Sequence, residues 1–79
     1  MKEVTINLST IDRVKRFVTN ISRCAADADI CSGNHYVIDA KSIMGIFSLD
    51  LSKPLKLRIY AEGDEADKTV EAVKEFVVA

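Results

Sequence analysis

Residues 55–61 alternate strictly. Leu55, Leu57, Ile59 and Ala61 are separated by Lys56, Arg58 and Tyr60. Successive side chains of a strand point to opposite faces, so this rhythm describes a strand with one dry face and one wet face. The same alternation runs through Val4, Ile6 and Leu8 against Thr5 and Asn7. It recurs in Tyr36, Ile38 and Ala40 against His35, Val37 and Asp39. A shorter segment, Ala28 to Ser32, precedes Gly33-Asn34, whose turn chemistry makes it the first arm of a hairpin. Strands covered on both faces read as continuous apolar runs. Strands that alternate belong instead to an antiparallel sheet with one face covered and the other open to water.

The cover is helical. Ile11, Val14, Phe17, Val18, Ile21 and Cys24 recur at spacings of three and four, with Arg13, Lys15, Arg16, Thr19, Asn20 and Arg23 between them. This predicts an amphipathic helix of about four turns. Ser9, followed three residues later by Asp12, resembles a capping box and predicts where the helix begins. Ser42 is placed to cap a short helix running through Ile43, Met44, Ile46, Phe47 and Leu49. Ser52-Lys53-Pro54 reads as a loop and Glu62-Gly63-Asp64 as a turn. A last helix from about Glu65 carries Val70, Val73, Phe76 and Val77 on one face. The expected order is β-α-β-β-α-β-α. That is an α+β fold, a four-stranded antiparallel sheet covered on one face by three helices, in one domain spanning residues 1–79.

Composition narrows the function. The chain has 11 basic and 12 acidic residues, a net charge of −1. A nucleic-acid binder shows a basic excess, because phosphate contacts supply most of its affinity. No nucleic-acid partner is expected. No run approaches the ~20 apolar residues of a membrane span, and the N-terminus has no signal-peptide character. A cytoplasmic protein with no membrane partner is expected. Cys24 and Cys31 form neither a CxxC nor a metal-ligand pattern, and His35 is the one histidine. They are read as free thiols in a reducing compartment, with no metal and no cofactor. A 79-residue chain leaves little room for a deep catalytic cavity. The expectation is a non-enzyme that presents a surface to other proteins.

The segment Asp39-Ala-Lys-Ser-Ile-Met-Gly-Ile-Phe-Ser-Leu49 resembles the Lys-Ser-Ile-Met-Gly segment of HPr, the histidine-containing phosphocarrier family of the bacterial sugar phosphotransferase system. Leu57-Arg-Ile-Tyr-Ala-Glu-Gly-Asp-Glu65 looks like that family's fourth strand and following turn. Length and element order agree as well. The resemblance implies an HPr-like open-faced β-sandwich, with phosphotransferase or catabolite-control components as partners. In the family, a loop after the first strand carries Gly-hydrophobic-His-Ala-Arg-Pro-Ala. Its histidine, at the start of the first helix, accepts phosphate from phosphoenolpyruvate through enzyme I, and the arginine helps hold that phosphate. Here the stretch reads Ser9-Thr-Ile-Asp-Arg-Val-Lys-Arg16. Counting back from Ser42 puts Asp12 at the histidine position, Val14 at the arginine and Lys15 at the proline. Asp12 is read as an acid that stabilises a helix start rather than as an acyl-phosphate acceptor. His35, beside the hairpin turn, is read as an exposed residue without the carrier role. Arg13 and Arg16 keep positive charge near the helix start, where a weakly held anion or a partner would meet it.

Two further positions follow from the resemblance. In the Gram-positive branch, the serine matching Ser42 is phosphorylated by an ATP-dependent HPr kinase, and the product acts in signalling. A phosphate there adds about −1.5 to −2 charge at a helix start beside Lys41. The alternative is that Ser42 serves only as a cap. Ile43, Met44 and Phe47 fall on the family's partner-docking surface, whereas Ile46 and Leu49 are expected in the core; the alternative tucks Phe47 into the core. Asp50 stands where the family commonly has glycine. The expected function is a regulatory, protein-interacting module without the carrier histidine, switched at Ser42. Two alternatives stand beside it. One is a phosphocarrier using a displaced acceptor. The other is a homodimer, formed through the Ile43–Phe47 patch or by exchange of strand one.

Overall fold

Four strands form where the alternation runs: β1 Lys2–Ile6, β2 Asp27–Ser32, β3 Tyr36–Asp39 and β4 Leu55–Tyr60. Three helices, α1 Ile11–Ser22, α2 Ile43–Phe47 and α3 Gly63–Ala72, join them, and a 3-10 turn follows at Lys74–Phe76. The computed structural model describes residues 1–33 and 36–78. The expected Gly33-Asn34 turn is seen only at Gly33, which has φ +63°. Asn34 and His35 lie outside the described residues.

The strands make one sheet in the order β1-β4-β2-β3, and every neighbour is antiparallel. The most regular alternator is therefore central. Leu57 faces Val4 on one side and Ile30 on the other. Leu55, Leu57 and Ile59 are buried together with Ile6, Ile30, Val14, Phe17, Ile21, Ile46, Val73 and Phe76. This set makes one apolar cluster under the helices. The Phe17 and Phe76 rings meet edge to face at 5.6 Å and 81°, an arrangement favoured by the ring quadrupoles. The other sheet face carries Glu3, Thr5, Asp29, Cys31, Val37, Lys56, Arg58 and Tyr60, and among the described residues no helix covers it.

Local details correct the sequence expectations. The cap of α1 is Thr10, not Ser9: its Oγ1 accepts the Arg13 N–H at 3.1 Å. Ser9 is drawn into the preceding turn, where its N–H donates to the Asn7 side chain. Ile11, assigned to the apolar face, is 64% exposed. It occupies the first helical position, and the buried stripe begins one residue triplet later at Val14. The last helix ends at Ala72 rather than continuing to Val77. The chain leaves the helix because its end pairs with strand one. Asn7 N–H donates to Phe76 O at 2.8 Å and Val78 N–H to Thr5 O at 2.8 Å, with Val77 bridging Ile6. β1 is thus held on both sides, by β4 and by this terminal segment.

Candidate functional site

The helix start at Ser42 is built as the spacing predicts. Ser42 is extended, with φ −99° and ψ 104°, and its Oγ accepts the Gly45 N–H at 3.2 Å. Its carbonyl accepts Ile46 N–H at 3.0 Å, closing the first turn. The loop before it is fixed by Asp39, whose carboxylate accepts Lys41 N–H at 2.9 Å and whose carbonyl accepts Ser42 N–H at 3.0 Å. Gly45 is the residue that lets this turn close. A Cβ there would come within 3.2 Å of Ser42 Oγ and 3.4 Å of Ile38 Cδ1.

Around this start the side chains divide. Ile46 is buried and Leu49 packs against the core from its edge, as expected. Met44 is 76% exposed and Phe47 38%, so Phe47 does not enter the core. Ile43 departs from expectation. It is half-buried and packed against the core, because the first turn of so short a helix lies close on the sheet. Lys41, expected among the partner-binding residues beside Ser42, turns its ammonium to the segment after α1, where Nζ donates to Cys24 O at 2.9 Å. Asp50 ends the loop differently from a glycine: its carboxylate accepts the Ser52 N–H at 3.1 Å and the Ser52 hydroxyl at 2.6 Å. Those bonds hold its pKa below the ordinary carboxylate value.

The start of α1 is the other candidate. Asp12 lies in the exposed first turn and pairs with Arg16 at 3.1 Å, one turn on. Arg16 also pairs with Glu75 at 3.1 Å. Arg13 turns inward: its Nε and a terminal nitrogen donate to Asn7 O at 3.2 and 3.0 Å, and that nitrogen also reaches Glu75 O at 3.3 Å. Both guanidinium groups lie over the Phe76 ring, at 5.1 and 5.9 Å. These arginines therefore tie the helix start to the terminal segment. Val14 is fully buried, so the position matched to the family arginine cannot face a phosphate from there. With Thr10 as the cap, Asp12 stands two residues into the helix.

One polar cluster was not singled out from the sequence. On the open sheet face, Arg58 holds Asp29 with two bonds of 2.7 and 3.0 Å across the β4–β2 pair, and Tyr60 donates its hydroxyl to the same carboxylate. Burial pushes the Asp29 carboxyl up, but the bonds from Arg58 and Tyr60 outweigh it and hold it below its ordinary value. Cys31 leans on the cluster at 3.8 Å, and burial pushes its thiol up. The available signal was the acid at Asp29 inside a strand, opposite the basic residue of an alternating partner. Both cysteines are free, and among the described residues no group of three or more His, Cys, Asp or Glu side chains could hold a metal. No helix among them is long and apolar enough to cross a membrane.

Fold and site together define a small open-faced α+β module whose exposed apolar groups flank a serine-capped helix. A family model described as the PTS HPr component phosphorylation site matches residues 12–79. The HPr-C-His protein of Thermoanaerobacter tengcongensis is 32% identical, with a TM-score of 0.77 over 95% of this chain and 89% of that one. The phosphocarrier protein HPr of Bacillus anthracis is 28% identical, with a TM-score of 0.70 over 98% and 94% of the two chains. A histidine-containing phosphocarrier protein of Mycoplasma has the same fold at 16% identity, with a TM-score of 0.70 over 94% and 86%. Among curated proteins none matches the sequence. The chain belongs to the HPr family of the phosphotransferase system, whose phosphocarriers are not enzymes and work by meeting other proteins of that system.

Proposed function

We propose that this protein is a regulatory, protein-interacting member of the HPr family that works in the cytoplasm without a carrier histidine. The observation that carries the reading is the composition of the α1 start. Thr10, Ile11 and Asp12 stand there; the threonine hydroxyl serves the helix and the carboxylate serves Arg16. None of the three is an imidazole, and the chain's one histidine, His35, is far from them in sequence. Without an imidazole, this position lacks the nucleophile whose phosphorylated form has high transfer potential. The Ser42 segment, by contrast, keeps its cap, its close glycine and two exposed apolar side chains, Met44 and Phe47. In this reading Ser42 is the modified residue and Met44 with Phe47 forms the contact surface, joined at its margin by Ile43. A phosphate changes the charge beside that surface by about −1.5 to −2 without requiring the fold to open.

Intact-mass spectrometry tests this in two mixtures, one with an HPr kinase and ATP, the other with enzyme I and phosphoenolpyruvate. The reading expects one added phosphate in the first, abolished by Ser42→Ala, and none in the second. Phosphate acquired from enzyme I would overturn it and direct attention to Asp12 and His35 as acceptors.

A further inference from the structure

Helix α1 carries no basic residue in its last turn. Two carbonyls of its last turn are nevertheless met. Asn20 O accepts Arg23 N–H at 3.3 Å and Ile21 O accepts Cys24 N–H at 3.0 Å. Just past the Arg23 cap, Cys24 O takes the Lys41 ammonium at 2.9 Å, from 17 residues further along the chain. A cation at this end complements the helix dipole, and a charge-assisted bond of this kind is stronger than a neutral one. The backbone of Lys41 is fixed at both ends by Asp39, so the one part of the residue free to swing is its aliphatic stem. The next residue is Ser42, whose Oγ lies at the start of α2.

We infer that Lys41 is a charge-operated latch between the two helix ends: its ammonium stays on Cys24 O while Ser42 is neutral and leaves that carbonyl when Ser42 carries a dianion. The inference rests on Ser42 being the phosphorylated residue. In that step a bond forms between Ser42 Oγ and the γ-phosphorus of ATP. The bond from that phosphorus to its bridging oxygen breaks, ADP leaves, and the hydroxyl proton is released. A phosphoryl dianion attracts an ammonium more strongly than a neutral carbonyl does. The freed Cys24–Ala25 peptide then loses its anchor, and the end of α1 frays. Modification at one helix start thereby loosens the far end of another helix.

Site-resolved amide exchange by NMR tests the latch without any kinase. Lys41→Met should speed exchange of the Cys24 amide by about three- to tenfold relative to the Ile21 amide. Lys41→Arg should restore it. Ser42→Glu should speed it as Lys41→Met does, and Ser42→Gln, which loses the same cap without adding charge, should not. Combining Lys41→Met with Ser42→Glu should add nothing further. Unchanged exchange in Lys41→Met would show that no latch exists. Equal exchange in Ser42→Glu and Ser42→Gln would show that the latch ignores charge at Ser42. Absence of phosphate after kinase treatment would remove the proposed modification while leaving these exchange results to judge the latch.

Discussion

Gly45 and Ser42 are locked together at the start of α2: the glycine N–H donates to the serine Oγ at 3.2 Å, and a methyl group on Gly45 would stand 3.2 Å from that same oxygen. Ser42→Ala removes a cap and should cost about 1 kcal/mol, read from the urea midpoint at constant m-value. Gly45→Ala inside a helix ordinarily gains about 1 kcal/mol. Here the methyl group displaces the hydroxyl and presses on Ile38, so the gain should vanish or reverse. In the Ser42→Ala background the oxygen is gone, and Gly45→Ala should recover a stabilisation of several tenths of a kcal/mol. Additivity between the two substitutions would show that the cap and the glycine act independently.

Thr10, rather than Ser9, holds the beginning of α1. Thr10→Ala should therefore destabilise by about 1 kcal/mol. Ser9→Ala should stay within about 0.5 kcal/mol, because the Ser9 hydroxyl makes no bond to the helix. Equal losses from the two substitutions in chemical denaturation would mean the cap is shared.

The sheet was legible because its strands alternate in pure form, and β4 is the clearest of them for a physical reason. It lies between two neighbours, so each inward residue is buried, while the outward Lys56 and Tyr60 are exposed and Arg58 is half-buried. The start of α2 was legible because a serine cap and an apolar run leave few other solutions. The ends of α1 and α3 were not. Ser9 and Thr10 are both capping residues, and only the turn at Asn7 decides between them. Likewise, Val73, Phe76 and Val77 have helical spacing, but backbone pairing with strand one claims the terminal segment. At the site, Met44 and Phe47 could be placed by periodicity. The inward course of Lys41 and the pairing of Arg13 with the Glu75 carbonyl depend on contacts distant in sequence, which no local pattern encodes.

Phe76 belongs to a 3-10 turn yet supports the start of α1. It meets Phe17 edge to face and lies under Arg13 and Arg16. Phe76→Ala should cost about 3–5 kcal/mol, as large apolar deletions in a core do. Phe76→Leu keeps most of the volume and should lose far less. Differential scanning calorimetry would check both. A small loss from Phe76→Ala would mean the terminal segment detaches without consequence for the core.

The Asp29 carboxylate makes stability depend on acid. Burial alone would raise its pKa, but the bonds from Arg58 and Tyr60 outweigh burial and lower it below the ordinary 3.8. The unfolded chain therefore takes up the proton first as pH falls. The stabilisation is complete above about pH 5 and is lost as pH falls through 3.8 toward the lower folded value. Asp29→Asn keeps the shape and removes the titration, leaving Arg58 without its partner. The variant should be less stable than the natural protein at pH 7. The gap between them should narrow steadily as pH is lowered from about 5 to about 2, where the natural residue is protonated too. Urea midpoints at several pH values give this gap directly, and the other carboxylates cancel because both proteins carry them. A gap that stays constant across the range would mean that Asp29 titrates no differently in the folded and unfolded chains, and that the cross-strand cluster shapes the open face without stabilising it through charge.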